Sequence, residues 1–220
     1  INNITYGEDE KNGIIIKNKF LHVPLNISFS APKNFNIENK ENSVIARSNN
    51  NESILIFDGL INELNLNLLD IVEGNLGRTR VDLQKNFNID NRPSILIKDK
   101  KIITFEGRQY QRDIILIKWF GSRVWRFNIL TDINANTTFY DELYKEVTNF
   151  HQLTEEEILL AQPKKIQIYA TNKGESILSL SKMMSVDKKK LEWFKILNGI
   201  DREIIESYEL EPGSLVKIIK

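Results

Sequence analysis

Two consecutive stretches in the middle of the chain limit what it can fold into. Residues 112–119 and 123–129 alternate by twos. Ile115, Ile117 and Trp119 share one face of the first, and Trp125, Phe127 and Ile129 oppose Val124, Arg126 and Asn128 on the second. A period of two is the mark of a strand, and 120–122 is short enough to be the turn between them. So large an aromatic and aliphatic face cannot stay in water, and a second layer has to cover it.

More of the chain reads the same way. Short strands are expected at 14–16 and 20–23, then around Leu25, Ile27 and Phe29, then at Phe35 and Ile37. The segments 43–47 and 53–57 form a hairpin, with Asp58-Gly59 closing its second strand. Phe87 and Ile89 lead to a turn at 91–93, and strands follow at 95–97 and 102–105. Two helices break the series. Leu66, Leu69, Val72 and Leu76 fall on one helical face, with Gly74 and Gly77 near its end. Phe139, Leu143, Val147 and Phe150 form the stripe of a helix over 139–150, widened by Tyr140 and Tyr144. Thr138 with Asp141 three residues on suits its start. This second helix is the expected cover for the sheet. Residues 1–13 read as a polar lead-in.

Pro163 resets the backbone. From there the order is strand (Ile166, Ile168, Ala170), helix (Ile177, Leu180, Met184), helix (Leu191, Trp193, Phe194, Leu197) and strand (215–219). Lys173-Gly174 makes the first turn, Asp187 is placed to cap the second helix, and Asn198-Gly199 ends it. Glu211-Pro212-Gly213-Ser214 turns into the last strand. The expected fold class is α+β: an antiparallel sheet domain with covering helices over 1–162, followed by a small β-α-α-β domain over 163–220.

Composition narrows the function. Of 220 residues, 41% are apolar and 27% charged, which suits a globular chain. Thirty basic side chains balance thirty acidic ones, so wholesale binding to nucleic acid or anionic membrane is not expected. Cysteine is absent, which excludes disulfides, thiol nucleophiles and thiolate metal sites. Apolar runs stop at four or five residues, too short for a membrane-spanning segment. The chain opens at Ile1 with no basic-then-apolar leader, as expected of a processed product or a fragment. His22 and His151 are the only histidines and lie far apart, without His-Glu-x-x-His spacing. No catalytic residues, metal site or cofactor are therefore expected. Asp82, Asp90, Glu106 and Asp113 are acids near strands with no evident pairing. Arg108, Arg112, Arg123 and Arg126 suggest a solvated basic strip, and Lys188-Lys189-Lys190 a wetted helix face.

Some segments resemble a known family. These are Phe20-Leu21-His22, 29–35 (Phe-Ser-Ala-Pro-Lys-Asn-Phe), Trp125-Arg126-Phe127, Phe139, and Asn149-Phe150-His151-Gln152-Leu153 with Glu156 or Glu157. Together they resemble the region behind the catalytic domain in exported bacterial zinc-dependent peptidases of the M48 type. Val23 before Pro24, Asn34 for a glycine, and Asn149 and His151 for serine and arginine depart from that pattern. The layout is also similar to the PsbP and Mog1 group of antiparallel sheets with flanking helices.

Residues 163–220 resemble a divergent LysM module, through Tyr169, Gly174, Ile177, Leu180, Leu191, Leu197, Asn198, Gly199, Pro212, Gly213 and Val216. Glu175-Ser176 stands where many members have Asp-Thr, and 200–211 is a longer final loop. That resemblance implies binding of N-acetylglucosamine glycans such as peptidoglycan, or of an envelope protein, at Asn172, Lys173, Gly174, Glu175, Asn198, Gly199 and Ile200. Tyr169 and Trp193 are aromatic enough to stack on a ring, but core packing is the first expectation for both. The two resemblances imply a non-catalytic accessory region of an exported, periplasmic peptidase with an upstream catalytic domain. The alternatives are a stand-alone glycan- or protein-binding module, or an enzyme with a pocket between its domains.

Overall fold

In the computed structural model, the described residues are 3–6, 12–77, 80–135, 139–186 and 188–220. The fold is α+β, with antiparallel sheets and short helices. The chain divides into two compact units, 11–161 and 1–10 with 162–220.

The larger unit is built on a sheet of β5 (Phe35–Asn39), β6 (Val44–Ser48), β7 (Ser53–Ile61), β8 (Val81–Ile89), β9 (Arg92–Asp99), β10 (Ile103–Phe105), β11 (Arg108–Lys118) and β12 (Arg123–Asp132). Its order is β5-β6-β7-β12-β11-β9-β8, with β10 hairpinned onto β11. The two central strands are those the alternation singled out, and they pair as Ile115↔Phe127 and Ile117↔Trp125. One face carries Leu55, Phe57, Leu96, Ile115, Ile117, Trp125, Phe127 and Ile129, all buried. Two elements cover it. One is α2 (Tyr140–Thr148), which buries Leu143, Val147 and, just beyond, Phe150. The other is a three-stranded sheet of β2 (Ile14–Ile16), β3 (Lys19–His22) and β4 (Ile27–Ser30), which contributes Phe20, Ile27 and Phe29.

Several boundaries differ from the sequence reading. β7 does not end at Asp58-Gly59 but runs on to Ile61. Gly59 is a strand residue there because the Trp125 ring lies across it, and a Cβ would come within 2.7 Å of that ring. The β8–β9 turn is Asp90-Asn91, both left-handed (φ 50° and 58°), so Pro93 stands inside β9. β11 starts at Arg108, since Glu106-Gly107 supplies a two-residue turn (φ 48° and 80°). α1 (Leu68–Leu76) starts after Asn67, whose side chain accepts the Asp70 N–H, and Leu66 stays outside the helix and exposed. The expected caps Thr138 and Asp187 lie outside the described residues.

α3 (Glu155–Leu160) closes the unit through a buried polar node. Glu157 and Thr154 form a capping box. The Glu157 carboxylate also accepts from Lys19 Nζ at 2.6 Å and from the Ser28 hydroxyl at 2.9 Å, and lies 3.1 Å from His151 Nε2. His151 and Ser28 exchange backbone hydrogen bonds as well. Burial by itself would raise the Glu157 pKa, but Lys19, the Thr154 N–H, the Ser28 hydroxyl and His151 outweigh it and lower it to about 2.

The smaller unit is a three-stranded sheet, β1 (Ile4–Tyr6), β13 (Lys164–Ala170) and β14 (Leu215–Ile219), in the order β1-β13-β14. α4 (Ile177–Lys182) and α5 (Lys190–Asn198) join β13 to β14. Part of the expected lead-in is therefore a strand, since Ile4↔Ile166 and Tyr6↔Lys164 pair along β13. Ile177, Leu180, Met184, Phe194, Val216, Ile218 and Ile219 make the core. Trp193, expected on the apolar side of its helix, is 41% exposed and meets the Tyr6 ring edge-on at 5.9 Å.

Leu143 is fully buried under the central strands, so Leu143→Ala should cost about 2–5 kcal/mol through lost contact and an unfilled cavity, read from a denaturant melt. The lowered Glu157 pKa predicts a pH signature. Its stabilising effect is complete above the ordinary value of 4.5 and is lost as pH falls toward 2. The stability gap between wild type and Glu157→Gln should therefore narrow across that window in denaturant titrations.

Candidate binding site in the C-terminal unit

The turn after β13 is held from within. Glu175 reaches back so that one carboxylate oxygen accepts the Asn172 N–H at 2.7 Å and the other accepts the Tyr169 hydroxyl at 2.7 Å. The Asn172 amide in turn donates to the Tyr169 oxygen at 2.8 Å. The Asn172 N–H, followed by the Tyr169 hydroxyl, lowers the Glu175 pKa, and the same hydrogen bond raises that of Tyr169. Gly174 takes φ +83°, a backbone state that an L side chain strains, with open space around it. Lys173 and Gly174 thus form an exposed tip over a rigid base. Ser176 and Ser179 then cap α4 reciprocally.

The other predicted residues have different tasks. Asn198 fastens the end of α5 to β14. Its amide donates to the Phe194 and Lys217 carbonyls at 2.9 and 3.0 Å, and its Oδ1 accepts the Lys217 N–H at 2.6 Å. Gly199 sits at φ +64° and closes the helix. The Ile200 N–H bonds to the Lys195 carbonyl at 2.9 Å, and its side chain packs on the core.

What lies against the first turn is the later part of the loop. The Leu210 N–H bonds to the Glu175 carbonyl, Ile177 to Tyr208 and Leu178 to Glu206, at 2.8–3.1 Å. Thr171 and Gly213 tie the rim to 211–214. Among the described residues no hydrogen bond joins 172–175 to 198–200. The structure therefore adds Tyr208, 53% exposed, and Ile205 to the candidate surface. Lys195 is a further residue that sequence reasoning passed over. It is buried, and its ammonium donates to the Arg202 and Ile204 carbonyls at 2.9 and 2.5 Å, shaping the long loop. Its only sequence signal was a basic residue on the apolar side of its helix. A groove of about 580 Å³ runs along α5 to the start of that loop, lined by Trp193, Ile196, Lys189 and Arg202 among others.

The acids named from sequence do not converge. Glu106 is paired with Arg47, Asp90 accepts the Gln152 N–H, Asp82 is exposed on β8, and Asp113 is buried with its pKa raised chiefly by that burial. His151 and Ser28 both bond to Glu157, so the histidine is not positioned to activate the serine. Among the described residues no group of three or more His, Asp or Glu is arranged to hold a metal ion, and no helix is long and apolar enough to cross a membrane.

No protein-family model and no curated protein matches the chain. Among solved structures, a crystal structure from Bacteroides thetaiotaomicron is similar at 10% identity and a TM-score of 0.43. The match covers 74% of this chain and 60% of that one. A likeness this loose adds nothing to the reading of the site.

Asn198→Ala removes three hydrogen bonds at the α5–β14 junction and leaves the Lys217 N–H without its acceptor. It should cost about 1–3 kcal/mol in a chemical melt, and Asn198→Asp should not recover the loss, because its second carboxylate oxygen would face the Phe194 and Lys217 carbonyls to which the amide donates.

Proposed function

We propose that the chain is a non-catalytic binding and scaffold region of an exported zinc-dependent peptidase of the M48 type, and that its C-terminal unit is a LysM-like module for N-acetylglucosamine glycans. The observation that carries the glycan reading is the β-α-α-β order closed by antiparallel β13 and β14, with a turn made rigid by Tyr169, Asn172 and Glu175. Rigid loops bind well because little freedom remains to be lost. Exposed Tyr208 beside that turn offers a flat ring for a pyranose face, and the Asn172 and Lys173 side chains offer polar groups at the exposed rim.

The scaffold reading is supported by where the family-like residues lie. Phe20, Phe29, Phe35, Trp125, Phe127 and Phe150 are all buried in one core, and Phe139 packs against it. His151 and Glu157 form the node that anchors α3. Those positions serve packing, as expected of a region that supports chemistry done elsewhere. The PsbP- and Mog1-like description of the sheet unit is part of the same proposal.

The chain should be retained on insoluble peptidoglycan and should bind chitotetraose in a calorimetric titration. Tyr208→Ala and Lys173→Ala should each weaken that binding about tenfold, the equivalent of about 1.4 kcal/mol, while leaving the melting curve in place. Absence of retention by the wild-type chain on both supports would overturn the glycan reading. Casein hydrolysis by this chain that is abolished by a chelator would overturn the scaffold reading.

A further inference from the structure

The sheet of the larger unit has a second face, and only part of it is covered. α1 packs on Ile95, Ile97, Ile114, Leu116 and Val124 through Val72 and its neighbours. Beside the helix a cavity of about 340 Å³ remains, within the range of about 300–1,000 Å³ typical of small-molecule sites. Its walls are aliphatic: Leu60, Ile71, Val72, Leu76, Ile114 and Leu116. Its polar lining is Arg80, Arg112, Arg126, Asn75 and Asn128, with no carboxylate among them.

The arginines are fixed from behind. Arg126 holds Asp58 through Nε and one terminal nitrogen, at 2.9 and 2.6 Å. Arg112 does the same to Asp99 at 3.2 and 2.6 Å, and Arg80 Nε reaches the other Asp99 oxygen at 3.0 Å. Asp99 itself is completely buried. Among the described residues that line this cavity, three guanidinium groups thus face two carboxylates. Among the described residues the Nη1 group of each arginine and the side-chain amide of Asn128 have no protein hydrogen-bond partner. Of the four arginines that the sequence suggested as a basic strip, only Arg112 and Arg126 line this cavity.

An apolar face would be cheaper to fill with aliphatic side chains than with oriented guanidinium groups. Guanidinium forks locked by carboxylates behind them are pre-aimed at an anion in front. With carboxylates already behind the forks and two more on the adjoining groove, a monoanion suits the site better than a phosphate dianion. An adjoining groove of about 410 Å³ shares Leu60, Ile71 and Asn75 with the cavity and continues past Ile61, Leu64 and Leu66, whose side chains are exposed, with the Glu63 and Asp70 carboxylates also on its lining. The geometry points to a binding site in the larger unit for a monocarboxylate with an apolar body, its carboxylate on Arg112, Arg126 and Asn128 and its tail along the flank of α1. This site is independent of the C-terminal module.

Two sources share that chemistry, a peptide C-terminus ending in an aliphatic residue and a medium-chain fatty acid. Titrating the whole chain with acetyl-Ala-Val-Leu, its C-terminal amide and octanoate, followed by amide NMR, separates them. Saturable shifts at Asn75, Asn128 and the flank of α1 with the free acid but not the amide identify the peptide terminus. The same shifts with octanoate alone identify a fatty acid. Arg126→Gln should weaken the binding at least tenfold. Asn75→Trp, placed on the exposed surface of α1 where it blocks the mouth without touching an ion pair, should do the same in a chain of unchanged melting behaviour. The proposal is overturned if neither acid gives saturable shifts, if Asn75→Trp leaves the affinity unchanged, or if inorganic phosphate displaces the acid at equal concentration.

Discussion

The larger unit depends on one aromatic cluster. Phe57 lies at its centre, with ring centroids 4.8 Å from Phe29, 4.7 Å from Phe127, 5.3 Å from Trp125 and 5.8 Å from Phe150. These rings come from the central sheet, from the small sheet and from the end of α2. The contacts with Phe29 and Phe150 join layers, whereas those with Phe127 and Trp125 join neighbouring strands of the central sheet. Such rings bury large areas and prefer tilted or edge-on contact, which fixes how the layers are turned as well as how closely they approach. Gly59 belongs to this arrangement, because only a residue without a side chain lets the Trp125 ring lie across its strand.

A sheet with one sealed face is free to use the other. Here a nine-residue helix packs on part of the second face, and the ion-paired arginines line the cavity beside it. Arg126 illustrates the division. Its strand neighbours Trp125 and Phe127 point into the core, while it points the opposite way, toward Asp58 on β7. The period of two that builds the core therefore also lines up the polar row behind it.

The C-terminal unit solves a different difficulty. A module this small buries little, so hydrogen bonds at its loops matter more than they would in a large domain. Asn198 and Lys195 each satisfy several backbone groups at once, and Glu175 ties its own turn. β1 adds a third strand to a sheet that otherwise has two. Tyr208 and the tip at Lys173-Gly174 are among the residues this leaves exposed.

Alternation in 112–119 and 123–129, the stripe through Leu143 and the Asn198-Gly199 stop were legible without coordinates, because each is a local pattern within a few residues. Element types and their order follow from such patterns, and so does the antiparallel α+β class. The rest depends on residues distant in the chain. That Gly59 is no turn rests on Trp125, 66 positions on, by the register Trp125↔Gly59. That 206–210 rather than 198–200 meets the first turn rests on where a long loop folds back. That Arg80, Arg112 and Arg126 line one cavity rests on strand order and on the placement of α1. Local spacing decides what each segment becomes, whereas burial and hydrogen bonding between segments far apart in sequence decide which side chains end up side by side.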